Sequence, residues 1–363
     1  MILFNDFSIQ HKKIKKDIYL ACKRVIDSNW FVMGKEVENF EQQLAKYLGI
    51  KYCVSCGSGT DAITLSLLAL GIGPGDQVLT TNMTAFPTIT AIHRAGASIG
   101  LVDISADTGL INTELIEKAI TKKTKAIIPV HLYGQACDLE HLKKICQKYK
   151  ISLVEDCAQS IGATYKKLKT GTIGQCGAFS FYPTKNLGCL GDGGAVVTNN
   201  TKLFNLLVKL RNYGQSKRYY HSDFGLNSRL DEIQAAMLSE KLKYLDEWNS
   251  ERRSLANLYL NHLDPAICLK EKDCGQAVYH LFVIKHPKRA ALMSYLFKNG
   301  IQTLIHYPVP VNKQTPMSQI NKSFPVSEKF ANNILSLPLY PGLTKRNVLK
   351  ICNKINNFNK YDR

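Results

Sequence analysis

Tyr52-Cys53-Val54-Ser55-Cys56-Gly57-Ser58-Gly59-Thr60-Asp61 runs from a short apolar stretch through a glycine turn into residues that suit a helix. Backbone N–H groups at such a helix start, joined by the Thr60 hydroxyl, make a cradle for a phosphate. Glycine turns of this kind also occur with nothing bound, so the stretch settles local geometry before it settles function. Reading outward, the same unit repeats. Apolar runs at 52–55, 78–81, 99–103, 126–130 and 151–155 predict strands, with helical stretches between them at 60–70, 86–95, 113–120 and 139–148. A helix before the first strand is marked by Val37, Phe40, Leu44 and Leu48 at helical spacing. This alternation predicts an α/β fold built on a large, mostly parallel sheet flanked by helices.

After Glu155 the helices drop out, and 178–182 and 195–198 read as consecutive strands joined by a polar, glycine-rich link. A long helical region over 230–260 then leads to a strand at 278–284 and a helix at 289–298. The expected organisation is a large domain, 1–245, and a smaller C-terminal α+β domain, 246–363.

Composition excludes several classes. With 363 residues, 45% apolar and 21% charged, the chain can bury a large core and is not expected to be disordered. No stretch approaches the roughly 20 apolar residues of a membrane span, and residues 1–16 lack the continuous apolar core of a secretory signal. A cytoplasmic location and no membrane partner are therefore expected. Eleven cysteines scattered through a large chain suit reduced thiols. Cys53 and Cys56 form a CxxC with no second ligand pair nearby, so buried structural thiols are expected and no metal. The formal charge of +18 is spread over thin groups such as Lys12, Lys13, Lys15 and Lys16. These lack interleaved stacking aromatics, so no nucleic acid is expected; the charge suits attraction of an anionic small substrate.

Three further clusters bear chemistry. Asp156, in Glu155-Asp156-Cys157-Ala158-Gln159, ends an apolar strand, where a carboxylate either pairs with a cation or caps a helix. Lys185 follows the short run Ser180-Phe181-Tyr182-Pro183-Thr184, with Gly191-Asp192-Gly193-Gly194 close behind. Such a lysine is either a surface residue or, when buried, a nucleophile toward carbonyl carbon. Gly225-Leu226-Asn227-Ser228-Arg229-Leu230-Asp231 is a polar loop opening a helix. Phosphate cradle, carboxylate and lysine, in that order, match what a pyridoxal phosphate site requires.

These clusters resemble those of the DegT/DnrJ/EryC1/StrS sugar aminotransferases, of the fold-type I pyridoxal-phosphate class. The resemblance extends through Gly96-Ala97, Val102-Asp103-Ile104, His131-Leu132-Tyr133-Gly134-Gln135, Arg211-Asn212-Tyr213-Gly214, Gly300-Ile301, His306-Tyr307 and Leu337-Pro338-Leu339. It implies that Lys185 carries pyridoxal 5'-phosphate covalently, that pyridoxamine phosphate, formed when the donor gives up its amino group, is the form that acts in the second half-reaction, and that Asp156 pairs with the ring nitrogen. It implies that Gln159 lies against the ring, that Gly59, Thr60 and Ser180 hold the phosphate, and that Asn227 reaches it from the other subunit of a homodimer with shared sites. Phe86, Tyr182, His306 and Tyr307 are the implied substrate-side residues. The implied donor is glutamate, leaving as 2-oxoglutarate, and the implied acceptor is a nucleotide-diphosphate sugar on a route to lipopolysaccharide or another glycan. The strings 182–188 and 227–231 look most like the branch that aminates C3 of dTDP-3-keto-6-deoxyhexoses; C4 of a dTDP or UDP 4-keto sugar is the alternative. A non-catalytic pyridoxal-phosphate-binding regulator is the alternative of another class. Two positions depart from the pattern: Ala85 stands where many members have a ring-stacking aromatic, and Asn312 where many have a histidine.

Overall fold

The computed structural model describes residues 1–271 and 274–361. A seven-stranded sheet runs, from edge to edge, through Tyr52–Cys56, Gly194–Thr198, Cys176–Ser180, Ser152–Asp156, Thr124–Ile128, Gln77–Thr81 and Ser98–Val102. Gly194–Thr198 is antiparallel to both its neighbours, and the other pairings are parallel. The fold is thus an α/β fold with a mostly parallel mixed sheet, as expected.

Pleating divides each strand between two cores. Val54, Val78, Ala126, Val154, Ala178 and Val196 bury one face against the helices Gly59–Ala69, Phe86–Arg94 and Thr201–Leu210. Cys53, Phe179, Ala195 and Val197 bury the other face with Val37, Phe40 and Leu44 of the helix Lys35–Leu48. Covered on both faces, the strands read as apolar runs rather than as alternating ones. Cys53 and Cys56 both lie in this buried sheet, and burial raises both thiols.

Three segments differ from the sequence expectation. A helix, Ser8–Ser28, precedes the first anticipated one; its buried stripe is only Ile14, Ala21 and Val25, too narrow to stand out among lysines. The long helical region breaks at Lys243 and Tyr244 into Glu232–Leu242 and Leu245–His262. The strand expected over 278–284 is Phe282–Lys285, because the Val278 N–H is taken by the Gly134 carbonyl and Tyr279 adopts φ +44°. That strand pairs with Ile334–Leu337, and the helix Lys345–Tyr361 packs Val348, Ile351 and Ile355 into the same cluster. Ile2 also joins this cluster and bridges to Ile301, so the first residues pack with the last hundred.

The end of the strand Ser152–Asp156 is held by Glu155, which is fully buried. Its carboxylate accepts from the N–H groups of Gly171 (2.7 Å), Ile173 (2.8 Å) and Gly174 (2.7 Å) and from His131 Nε2 (3.0 Å). His131 Nδ1 accepts the Cys137 N–H, so the ring donates through Nε2. Burial alone would raise the Glu155 carboxyl, but His131 and the backbone N–H groups more than offset it and leave it below its ordinary value. Glu155→Ala would strand these donors inside the protein, and we expect it to cost roughly 3–5 kcal/mol in urea unfolding. A loss under about 1 kcal/mol would mean that the loops hold without the carboxylate.

Candidate active site

The carboxyl ends of the strands, where α/β folds gather ligands, bring Gly57 to Thr60, Asp156 and Ser180 to one side of the sheet. Ser58 caps the helix Gly59–Ala69, its Oγ accepting the Asp61 N–H at 3.1 Å. The first N–H groups of a helix have no partner within it, which leaves those of Gly59 and Thr60 for an anion. The approach is close. A Cβ on Gly59 would lie 2.6 Å from Ser180 Cβ, and one on Gly194 would lie 2.4 Å from the Ser58 carbonyl, so glycine is required at both places. Ser228 secures the turn from behind, accepting the Gly57 N–H (2.9 Å) and donating to Asp61 (2.8 Å).

Asp156 lies beyond this cradle and is buried. Its Oδ2 accepts from the Thr88 hydroxyl (2.8 Å) and its Oδ1 from the Ala158 N–H (3.1 Å), which fixes the plane of the carboxylate. Burial raises the carboxyl above its ordinary value, against the Ala158 N–H, the Thr88 hydroxyl and the charge of Lys185. Lys185 sits on a loop closed by its own N–H to the Tyr182 carbonyl (2.8 Å). Its neighbour Asn186 is pinned by Asn249, Val278 and His280. Burial lowers the Lys185 ammonium to about 8, with Asp156 opposing. The two groups sense each other's charge but form no ion pair among the described residues. A buried carboxylate without a cation is costly, and a buried acid with a desolvated amine in its field suits a ligand that offers a cationic ring and a carbonyl.

Gln159 follows three residues after Asp156 and is buried. Its Oε1 accepts the Tyr133 N–H (2.6 Å), and its Nε2 donates to the Tyr307 hydroxyl (3.1 Å). Burial, with Asp156 adding, raises the Tyr307 phenol to about 12. His306 binds Ser336 through Nδ1 (2.9 Å) and stacks on Phe4, while burial and then Lys185 lower its imidazole to about 4, so the ring is neutral.

The remaining predicted residues are more scattered. Tyr182 is exposed on the Lys185 loop, and Asn227 is exposed while bridging to Asn212. Phe86 opens its helix and packs against the cluster of Ile89, Val311, Met317 and Phe324. Asn312 is buried in a polar clamp with Asn82 and Glu328, which explains its departure from histidine as local packing. Thr88, Tyr133 and His280 also support the site, through Asp156, Gln159 and Asn186, and nothing in their own sequence surroundings shows these bonds. Among the described residues the only grouping of metal-type ligands is His131, Glu155 and Cys157, and its carboxylate is already saturated by the loop N–H groups.

The model of the DegT/DnrJ/EryC1/StrS aminotransferase family matches residues 12–356. The chain is 44% identical, over 99% of both proteins, to the dTDP-3-amino-3,6-dideoxy-alpha-D-galactopyranose transaminase of Aneurinibacillus thermoaerophilus. It superposes with a TM-score of 0.96 on DesV of S. venezuelae in complex with a ketimine intermediate, at 39% identity and 98% coverage of each chain. NtdA of Bacillus subtilis with bound cofactor PMP matches with a TM-score of 0.88 at 33% identity, over 94% of this chain and 82% of that one.

The Lys185 amine is neutral above about pH 8, and only the neutral form attacks a carbonyl. Reductive labelling of the cofactor-free protein with a small aldehyde and borohydride, mapped by mass spectrometry, should therefore modify Lys185 increasingly as pH rises from 7 to 9. Labelling that follows the ordinary lysine range instead would contradict the burial argument.

Proposed function

The chain belongs to the DegT/DnrJ/EryC1/StrS aminotransferase family, and from that footing we propose that it moves an amino group from glutamate to C3 of a dTDP-linked 3-keto-6-deoxyhexose. It is a pyridoxal-phosphate-dependent sugar aminotransferase. The C3 reading is carried by the similarity, along essentially its whole length, to a transaminase whose product bears a 3-amino group.

The residues fit the cofactor: a glycine-lined helix start for its phosphate, a buried carboxylate lacking a cation for its ring nitrogen, and a desolvated lysine for its carbonyl. When bound, pyridoxal phosphate supplies an electron sink for the carbon that gives up its proton. Asp156, oriented by Thr88 and Ala158, keeps the ring nitrogen protonated and so keeps that sink deep. Gly59, Thr60 and Ser180 would hold the phosphate, and Gln159, braced by Tyr133 and Tyr307, would lie against the ring. Lys185 would hold the cofactor through its carbonyl and, as a free amine, would accept and return a proton on Nζ, a task suited to an amine already lowered toward neutrality. His306, held neutral, and Tyr307, held protonated, offer hydrogen bonds to sugar hydroxyls rather than charge. Tyr182 and Phe86 complete the proposed sugar side.

The exposure of Asn227 supports its use by a second copy, making the enzyme a homodimer with shared sites. We place the boundary between units 1–245 and 246–363 at the start of the helix Leu245–His262, with Ile2 returning to the smaller core. No helix among the described residues is long and apolar enough to cross a membrane, which accords with cytoplasmic supply of a glycan precursor.

Asp156→Ala should keep the absorbance of bound cofactor while turnover falls by at least about a hundredfold, the scale of a lost charge interaction. Near-normal rates would remove Asp156 from its role. Offered dTDP and UDP 3-keto and 4-keto sugars with glutamate, the enzyme should aminate the dTDP 3-keto sugar, as read by NMR of the product. Activity only on 4-keto sugars would overturn the regiochemistry, and protein that takes up cofactor but aminates nothing would favour a regulator.

A further inference from the structure

Ser8, His11, Lys12, Lys15, Ile18 and Tyr19 recur at helical spacing and form one stripe along the helix Ser8–Ser28. The stripe faces Lys241 of the helix Glu232–Leu242, and together with Leu190 they line a cavity of about 530 Å³. We propose that this cavity binds an anion of the phosphate class, at a site separate from the cofactor cradle.

Lys241 carries the argument. It is only 4% exposed, yet among the described residues its Nζ donates to a single acceptor, the Gly188 carbonyl at 2.6 Å, although an ammonium has three donors. Among the described residues it has no carboxylate partner, and none lines the cavity. Burial lowers its ammonium to about 8, and burial followed by the Lys241 charge lowers the His11 imidazole. Buried charges in folded proteins are ordinarily paired. A methionine of similar shape would fill the space without that cost, so the retained cation asks for a negative partner from outside the chain. Lys12 and Lys15, exposed and without ion pairs among the described residues, add charge at the mouth, and Ser8 adds a hydroxyl. A monocarboxylate would satisfy one of these cations. A phosphate or diphosphate, with several oxygens and more than one negative charge, matches the set. Gly188 lies three residues beyond Lys185 on the same loop, so an occupant touching Lys241 sits against the support of the cofactor lysine.

The proposal holds whichever sugar is aminated. Calorimetric titration of the holoenzyme with inorganic pyrophosphate, its cofactor site already filled, should show one site per chain. Lys12→Gln combined with Lys15→Gln, both exposed and safe for folding, should weaken it about tenfold or more, and Lys241→Met should weaken it further. If dTDP displaces pyrophosphate, the site takes a nucleotide diphosphate; if both bind together, it takes free phosphate compounds. Either supports a phosphate-class site. Absence of binding, or equal affinity in all variants, would overturn it, and neither result bears on transaminase activity.

Discussion

Two carboxylates end the strand Ser152–Asp156, and the pleat sends them to opposite faces of the sheet. Glu155 is saturated by four donors and ties the 171–174 turn and His131 to the strand. Asp156 receives only a hydroxyl and one N–H, which orients it but leaves its charge uncompensated. The first makes the second possible. A buried acid can stay ionised and aimed only where the backbone beneath it cannot yield, and Glu155 fixes that backbone from behind. His131 links the two, since its ring bonds to Glu155 while its N–H bonds to the Asp156 carbonyl.

The same division of labour recurs around Lys185. Lysine and aspartate each strain toward neutrality because both are buried, and each restrains the other's shift without touching it. The protein therefore holds an opposed pair of charges, and His306 and Tyr307, which sense that pair, have their own protonation fixed by burial. Tyr307 stays a phenol and His306 a neutral ring over the ordinary range of pH. The Lys185 amine, by contrast, is lowered to about 8 and changes charge just above neutrality.

Much of this was legible in the residues. The alternation of apolar runs with helical stretches placed all seven strands of the sheet to within two residues, because the strands other than the edge strand Ser98–Val102 are buried along most of their length and flanked by glycine or polar turns. Lys185 and Asp156 were legible through their spacing from the glycine turn and through family resemblance. Glu155 stood in plain view beside Asp156, but its donors come from a turn and a loop whose positions no local pattern encodes. Thr88 was hidden for the same reason: its hydroxyl meets Asp156 only because its helix crosses the strand end. The helix Ser8–Ser28 escaped because three buried residues in three turns leave a pattern that lysines overwhelm.

The bridge between Ile2 and Ile301 sets an order on the making of the molecule. Ile2 can find its place only after Ile301, roughly three hundred positions further along the chain, has been synthesised. Until then a buried isoleucine and the neighbouring Phe4 have no core to enter, and the C-terminal cluster lacks one of its walls. Contacts of such sequence separation form late and slowly. The smaller core can therefore close only once Ile2 has met Ile301, and His306, stacked on Phe4, reaches its final surroundings with it.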